Sequence, residues 1–392
     1  MEYDFDRKID RAGSGALKYD ALQERFGRPD LLPMWVADMD FATPDFIIDA
    51  LRQRLEHPVM GYTIEPADYR PSIIDWLREL HGVEVDPSWL TFIPGIVKGI
   101  GMVVNLFTAP GDGVIIMPPV YYPFRIVPEE NSRRVLYNPL IEQPDGRYAP
   151  DFEGLERLAS DPGSKLLILS SPHNPAGIAW TRPQLERIAE ICARHGVLVV
   201  ADEIHSEMML WGGGHVPFYT VSDAARANSI TFAAPSKTFN IAGIVSSYAI
   251  VPDAELRERF FSYLKANELD EPTLFSPIAT IAAYRHGHEW RRRMLAYVEG
   301  NIRFIEEFCS RHLPGIKALR PDASFLVWLD CRRLGLSHDE LCSLFCDDCH
   351  LALNDGEMFG PGGEGFMRLN AAAPREVVAE GLRRIEAALS RR

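Results

Sequence analysis

Short apolar runs alternate with longer amphipathic segments through the middle of the chain. The runs have the length of buried strands and lie at residues 113–117, 133–137, 165–170, 197–201, 229–233 and 245–251. Segments with helical periodicity lie at 96–107, at 151–159 and from Thr181 onward, where Thr181-x-x-Gln184 forms a capping box. This alternation predicts an α/β fold whose largely parallel sheet is covered by helices.

The pattern differs on either side of this region. Before it, helices are predicted at 45–56 and at 69–81, the second ended by Gly82. After residue 254 come long helical stretches, among them 288–312, followed by strands at 325–330 and 366–370 and a last helix at 375–390. The C-terminal part therefore reads as a smaller α+β domain.

Charge and composition exclude several classes of partner. The 392 residues include 41 Lys plus Arg and 55 Asp plus Glu, a formal charge of −14 that disfavours nucleic acid and anionic membrane surfaces. The first residues lack the pattern of a signal peptide, and the apolar runs are too short to cross a bilayer. Six cysteines in so long a chain do not resemble a disulfide framework. We expect a cytoplasmic protein.

Three of the cysteines share one predicted helix. Cys342, Cys346 and Cys349 follow the capping box Ser337-x-x-Glu340 at spacings that place them on one face. Such a face could bind a metal, but buried cysteine is common and no second Cys-x-x-Cys pair completes a site. A buried face is the favoured interpretation, and no metal is expected.

Polar residues follow the predicted strands at their carboxyl ends, where open α/β sheets bind ligands. They are Tyr121 and Tyr122 after strand 113–117, Asn174 after 165–170, Asp202 and His205 after 197–201, and Lys237 after 229–233. Taken singly, Asn174 could be a turn former, His205 a structural histidine and Lys237 a solvated charge. A carboxylate directly after a buried strand, as at Asp202, requires a cationic partner.

Lys237 and the segment around Gly95 are candidates for two kinds of site, a Schiff-base lysine and a phosphate-binding helix terminus. A lysine whose pKa is lowered by burial or by a neighbouring cation can form a Schiff base with a carbonyl group. Gly95 enters the helix predicted from Ile96, and free amides at a helix N-terminus bind phosphate. Neither a Walker A motif nor Gly-x-Gly-x-x-Gly is present, which argues against an ordinary ATP or NAD site.

The motifs together resemble those of aminotransferase-fold enzymes that use pyridoxal 5′-phosphate (PLP). The shared stretches are Ser-Pro-His-Asn-Pro-Ala-Gly at 171–177, Asp-Glu-Ile-His at 202–205, Ala-Pro-Ser-Lys-Thr-Phe-Asn-Ile-Ala-Gly at 234–243 and Met-Arg-Leu-Asn-Ala-Ala at 367–372. Trp-Val-Ala-Asp-Met-Asp-Phe at 35–41 and Pro-Val-Tyr-Tyr-Pro-Phe at 119–124 resemble the MalY/PatB-type cystathionine β-lyases in particular. The resemblance spans essentially the whole chain.

The resemblance implies a fold and an assembly. It implies fold type I, with a mostly parallel seven-stranded sheet in a large PLP-binding domain at 46–285. A small domain would be built from both termini, residues 1–45 and 286–392. It also implies a homodimer in which Tyr62 reaches the phosphate of the other subunit.

Site roles are likewise implied by the resemblance. Lys237 would attach PLP and later move the Cα proton, Asp202 would pair with the pyridine nitrogen, and Arg368 would hold the substrate carboxylate. The other implied cofactor contacts are Asn174, Tyr121, Gly95, Ile96, Ser236, Tyr62 and His205, with Ala37 and Tyr122 near the substrate. Tyr122 is also a candidate proton donor to the leaving thiolate.

Two positions depart from the wider aminotransferase pattern. His205 stands where a tyrosine is usual, and Val245 stands where an arginine usually binds the phosphate. Both departures suit the lyase subgroup, so the expected activity is β-elimination on a sulfur amino acid such as L-cystathionine or L-cysteine. An aminotransferase and a regulatory binding protein that keeps the fold are the alternatives.

Overall fold

A computed structural model describes residues 3–392, and its centre is a seven-stranded sheet. In spatial order the strands are Leu90–Ile93, Ser247–Ile250, Ser229–Ala233, Leu198–Asp202, Ser164–Ser170, Gly113–Ile116 and Arg134–Tyr137. Ser247–Ile250 runs antiparallel to both of its neighbours, and the other adjacent pairs are parallel. The predicted α/β class and the mostly parallel seven-stranded sheet are confirmed.

Helices bury both faces of this sheet. Along strand Ser164–Ser170, Leu167 and Leu169 pack in one apolar cluster while Leu166 and Ile168 pack in another on the opposite face. Side chains on a strand alternate between faces, so an unbroken apolar run is what a doubly covered strand needs.

Capping residues mark the ends of some helices as predicted. The helices of eight residues or more are Asp45–Leu55, Tyr69–His81, Ile96–Phe107, Pro123–Glu130, Phe152–Ala159, Arg182–His195, Ala254–Ala266, Phe275–His286, His288–His312 and Arg375–Leu389. Gly82 ends its helix in the left-handed conformation (φ 67°), which glycine adopts without a steric penalty. Thr181 and Gln184 form the predicted capping box of the helix Arg182–His195.

A second, antiparallel sheet lies in the C-terminal part. Its strands, in spatial order, are Lys317–Leu319, Leu326–Asp330, Phe366–Asn370 and Asn354–Asp355. Leu32–Pro33 pairs in parallel with Leu351–Ala352, which joins the N-terminal segment to this part of the chain. The short helices Leu17–Asp20 and Leu22–Phe26 precede that pair.

The cysteine-bearing helix differs from its prediction. The capping box at Ser337 is present, but the α-helix spans only His338–Ser343 and continues as a π-turn over Leu344–Asp348. The wider π-turn rotates the later cysteines away from regular α-helical spacing. Cys349 is buried, whereas Cys342 and Cys346 are half-buried.

Over residues 3–392, every helix is either too short or too polar to cross a membrane.

Candidate active site

A cavity of about 360 Å³ opens at the carboxyl ends of the central strands. Its lining includes Ala37, Gly95, Ile96, Lys98, Tyr121, Ser170, Asn174, Asp202, His205, Ser236, Lys237 and Val245. These residues come from segments far apart in sequence, because parallel strands bring their carboxyl ends to one edge of the sheet. The volume suits a small cofactor with its substrate.

Lys237 lies in the turn after strand Ser229–Ala233, half-buried in the cavity wall. Its Nζ donates a hydrogen bond of 2.6 Å to the Ala37 carbonyl oxygen. Burial lowers the pKa of the amine to about 8, and the nearby Arg368 charge acts in the same direction. A sizeable fraction of the amine is therefore neutral near physiological pH, as a nucleophile or base requires.

Asp202 is the last residue of its strand and is buried. Its Oδ1 accepts a hydrogen bond of 3.0 Å from the Ile204 amide. Burial raises the pKa of the carboxyl to about 7, and the Lys237 charge offsets this only in part. Such a carboxylate is stabilised by a further cation, and the protonated nitrogen of a pyridine ring is one.

Arg368 adjoins the cavity through Asn174. Its Nη1 donates to Asn174 Oδ1 at 3.0 Å, and its Nη2 donates to the Trp35 carbonyl at 2.9 Å and to Asn354 Oδ1 at 2.6 Å. Burial lowers the pKa of the guanidinium to about 10, which leaves it charged at neutral pH. Within residues 3–392, its buried Nε has no acceptor, so a donor remains for an incoming carboxylate.

The end of the cavity near Gly95 suits a phosphate. Gly95 has φ 114° and is followed by the helix Ile96–Phe107, whose first amides are free of partners within the helix. Amides at a helix N-terminus bind a phosphate dianion. Val245 faces Gly95 from the opposite side and itself adopts a left-handed conformation (φ 58°), which is rare for a β-branched residue.

Aromatic rings and a neutral histidine complete the cavity. The ring centroids of Tyr121 and Tyr122 lie 5.2 Å apart, and burial raises the pKa of Tyr121 to about 12. His205 is buried, and its pKa is lowered to about 3 by burial and then by the charges of Lys237 and Arg368. His205 is therefore neutral and serves as an uncharged wall.

Most of the predicted residues line the cavity, and three do not. Arg368 contacts the lining residue Asn174, and Tyr122 lies beside the lining residue Tyr121. Tyr62 is 108% exposed and contributes nothing to the cavity of its own chain.

Lys98 and Ser170 also line the cavity, and Asn354 contacts Arg368, although none of the three is predicted as a site residue. Lys98 lies in the helix predicted at 96–107 and Ser170 ends the strand predicted at 165–170, whereas the pairing of Asn354 with Arg368 across strands has no local sequence pattern.

The chemistry of the cavity residues fits PLP. A lysine amine of lowered pKa can react with the aldehyde, and a buried carboxyl with a pKa near 7 can pair with the pyridine nitrogen. The free amides at the helix N-terminus after Gly95 can bind the phosphate. These three groups surround one cavity, as the binding of one small molecule requires.

Comparison with known proteins agrees with this geometry. The family profile for aminotransferase class I and II matches residues 29–385. The chain is 46% identical to cystathionine β-lyase PatB of Bacillus subtilis over 98% of this chain and 100% of that protein. It is also similar to cystalysin of Treponema denticola, solved with PLP (TM-score 0.96, 33% identity, 100% of both chains). The PLP-bound C-S lyase of Staphylococcus hominis matches with a TM-score of 0.91 and 30% identity over 99% of this chain and 98% of that one.

Proposed function

Because the chain belongs to the aminotransferase class I and II family, and within it to the PatB/MalY-type cystathionine β-lyases, we propose that it is a PLP-dependent carbon–sulfur lyase. The reaction is β-elimination on a sulfur amino acid such as L-cystathionine or L-cysteine. With one water consumed, the products are pyruvate, ammonia and a thiol, which is homocysteine from cystathionine and hydrogen sulfide from cysteine. The observation that carries this proposal is the convergence of Lys237, Asp202 and the Gly95 helix terminus on one cavity.

PLP, when bound, supplies an electron sink that stabilises the negative charge formed at the substrate Cα. We propose that Lys237 holds its aldehyde carbon and that the released amine then removes the Cα proton. The pKa of about 8 supports this role, since it lies close to the pH at which a general base works. Asp202 would hold the proton on the pyridine nitrogen, and the resulting ion pair would offset the cost of burying the carboxylate.

Further residues would orient the ring and the substrate. Asn174 accepts from Arg368 through Oδ1, which leaves its Nδ2 free to donate to the phenolic oxygen of the ring. Tyr121 would stack on the ring face, and Ser236 would join Gly95 and Ile96 around the phosphate. His205 would pack against the ring as a neutral contact.

Arg368 is proposed to bind the substrate carboxylate, with Ala37 beside it. The leaving thiolate takes a proton from Lys237 or from Tyr122, whose ring lies against Tyr121. Proton delivery from either side chain completes the step in which the carbon–sulfur bond breaks.

Product analysis with L-cysteine tests the reaction type. A lyase releases pyruvate and sulfide in equal amounts, without any added keto acid. An enzyme that needs a keto acid acceptor and makes a new amino acid from it is an aminotransferase, and this result would refute the proposal.

Arg368→Lys is expected to lower kcat/KM for L-cystathionine on the order of 10²-fold, mostly through a higher KM. The ammonium group of lysine is a single point charge, whereas the guanidinium is planar and can bind a carboxylate through two hydrogen bonds. The substitution also removes the hydrogen bonds to Asn354 and to the Trp35 carbonyl. Steady-state kinetics measure the change. Arg320→Lys, at a surface ion pair with Glu306, is the matched control and is expected to leave KM unchanged. An unaltered KM in Arg368→Lys would remove the residue from the carboxylate site.

We also propose that the enzyme is a homodimer. The segment around Tyr62 exposes an unusual number of large apolar side chains, namely Leu55, Val59, Met60, Tyr62 and Ile64. A contiguous exposed apolar segment is typical of a protein interface. A second copy that covers this segment would bring the Tyr62 hydroxyl to the partner's phosphate site.

Mixed dimers test whether Tyr62 acts in trans. Tyr62→Phe alone is expected to weaken PLP binding about tenfold, because a hydrogen bond to a charged group is lost. In mixed dimers with Lys237→Ala, the subunit that retains Lys237 receives an intact Tyr62 from its partner, so its PLP affinity should return to normal. Tyr137→Phe, at another exposed tyrosine, serves as the control. Persistent weak binding in the mixed dimers would mean that Tyr62 acts in cis or not at all.

We propose a division into two domains and, separately, a cytoplasmic location. The pairing of Leu32–Pro33 with Leu351–Ala352 supports a small domain built from 1–45 and 286–392, around a large domain at 46–285. All six cysteines are free thiols, which supports a reducing, cytoplasmic compartment.

A further inference from the structure

Residues 35–41 form a wall segment beside the candidate active site, which they line at Ala37. Its inward bonds run from Lys237 Nζ to the Ala37 carbonyl (2.6 Å), from Arg368 Nη2 to the Trp35 carbonyl (2.9 Å), and from Asn370 Nδ2 to the carbonyls of Val36 (2.7 Å) and Asp38 (2.6 Å). The segment therefore aligns both the lysine and the arginine that the proposed function uses.

Two acidic side chains of this segment, Asp38 and Asp40, do not line the cavity and pair with cations instead. Asp38 accepts from Arg11 at 2.6 Å, and Asp40 accepts from Arg11 at 2.8 Å and from Lys18 Nζ at 2.6 Å. Lys18 Nζ also lies 3.4 Å from the Asp38 carbonyl oxygen, the atom that Asn370 holds from the inside. We name the four residues Arg11, Lys18, Asp38 and Asp40 the ion clamp.

Lys18 is the least exposed member of the ion clamp. Its side chain is 1% exposed, and that of Asp40 is 6% exposed. A buried ammonium is costly unless it is paired, and removal of one partner strands the other charge. The Lys18 backbone carbonyl also accepts from Trp35 Nε1 at 2.9 Å, so Lys18 holds the wall at two points.

We propose that Lys18, acting through Asp40, is a positioning residue that sets the register of the wall at 35–41 and so aligns the Ala37 and Trp35 carbonyls with Lys237 and Arg368. The idea rests on the proposed function, because it assumes that these two side chains handle the amino acid. Lys18 itself touches neither the cavity nor the reacting atoms. Its expected effect is on the binding and turnover of the amino acid, with retention of PLP unchanged.

Lys18→Met in the holoenzyme tests the proposal. We expect kcat/KM for L-cystathionine to fall about tenfold or more, since small displacements far from the chemistry carry such costs. Binding of L-alanine, which has no β leaving group, should weaken by a similar factor when it is followed by the visible absorbance of the bound cofactor. Hydrogen–deuterium exchange of the peptide over 35–41 should rise, while that of strand Ser229–Ala233 stays unchanged.

A double-mutant cycle separates positioning from general destabilisation. If Lys18 acts through Asp40, adding Lys18→Met to Asp40→Asn should cost far less than it does in the wild type. Arg320→Met, at the surface pair with Glu306, is the control for loss of a cation. If Lys18→Met fails to fold, Asp40→Asn provides the same binding and exchange measurements.

Two results would refute the proposed positioning role of Lys18. One is alanine binding and kcat/KM within twofold of the wild type despite a lower melting temperature. The other is a double-mutant cycle in which the effects of Lys18→Met and Asp40→Asn on kcat/KM are additive. Failure of the proposed function is a separate result, namely a wild-type holoenzyme that yields no pyruvate from L-cystathionine.

Discussion

Lys237→Ala is expected to lower the rate of pyruvate release from L-cystathionine by at least about 10⁴-fold, the upper range for loss of a positioned acid–base group. The substitution removes both the attachment point of PLP and the amine that takes the Cα proton. Its reduced pKa makes Lys237 suited to both tasks. Borohydride reduction of the wild-type holoenzyme followed by peptide mass mapping should place the cofactor's mass on the peptide that contains Lys237.

Lys165→Ala provides the matched control for this substitution. Lys165 lies exposed on strand Ser164–Ser170 of the same sheet, so its loss changes the charge without touching the cavity. We expect normal activity and normal labelling of Lys237 in that variant. Labelling of another lysine, or a Lys237→Ala enzyme that keeps more than a tenth of its activity, would contradict the assignment.

Asp202→Asn is expected to reduce activity on the order of 10²-fold or more, comparable to the loss of a preorganised charge at a reacting centre. An amide cannot hold the proton on the pyridine nitrogen as an ion pair, so the cofactor loses its power to withdraw electrons. Steady-state kinetics at saturating PLP measure the loss. Asp223→Asn, at the exposed start of a short helix, is the control and should be fully active.

The same substitution should stabilise the protein after its cofactor is removed. In the folded apoprotein the pKa of Asp202 rises from 3.8 to about 7, so folding favours the protonated form. Stability therefore falls as the pH rises from about 4 to 7, and the full penalty applies above pH 7. Asparagine carries no such penalty, and we expect its melting temperature to exceed the wild-type value by about 2 °C or more above pH 7.

Thermal scans of the two apoproteins at pH 5 and pH 8 measure this difference. The gap between variant and wild type should be larger at pH 8. With PLP bound, the order should reverse, because only the wild type forms the ion pair. A lower apoprotein melting temperature in Asp202→Asn at pH 8 would mean that the carboxylate is already paired before the cofactor binds.

The sequence patterns located most elements for identifiable physical reasons. Helix Tyr69–His81 ends at Gly82 because only glycine takes the left-handed conformation there cheaply, and the helix after Thr181 begins at a capping box. The strands that end at Ser170 and Asp202 are buried on both faces and therefore read as unbroken apolar runs.

Other elements escaped detection because their stability is tertiary. The helices Leu17–Asp20 and Leu22–Phe26 are shorter than any periodic signal, and Pro123–Glu130 contains Pro128 near its end. The antiparallel direction of Ser247–Ile250 is set by its neighbours in the sheet and could not be predicted from the alternation of elements.

The residues of the candidate site also include some that the sequence could predict and some that it could not. Asn174, Asp202 and Lys237 could be grouped from sequence because strand ends converge on one edge of a parallel sheet. Arg368 and Ala37 emerged only from the resemblance to a family. The ion clamp could not be predicted, since its hydrogen-bonded cations and carboxylates lie 22 to 29 residues apart and meet only when the N-terminal segment folds back on itself.

One measurement tests the central claim most directly, namely that the cavity around Lys237 performs PLP-dependent β-elimination. The absorbance spectrum of the purified protein with PLP is recorded, and L-cystathionine is then added with lactate dehydrogenase and NADH to detect pyruvate. We expect the visible band of lysine-bound PLP and prompt loss of NADH. The band without pyruvate would contradict elimination, and no band even with added PLP would contradict the role of Lys237.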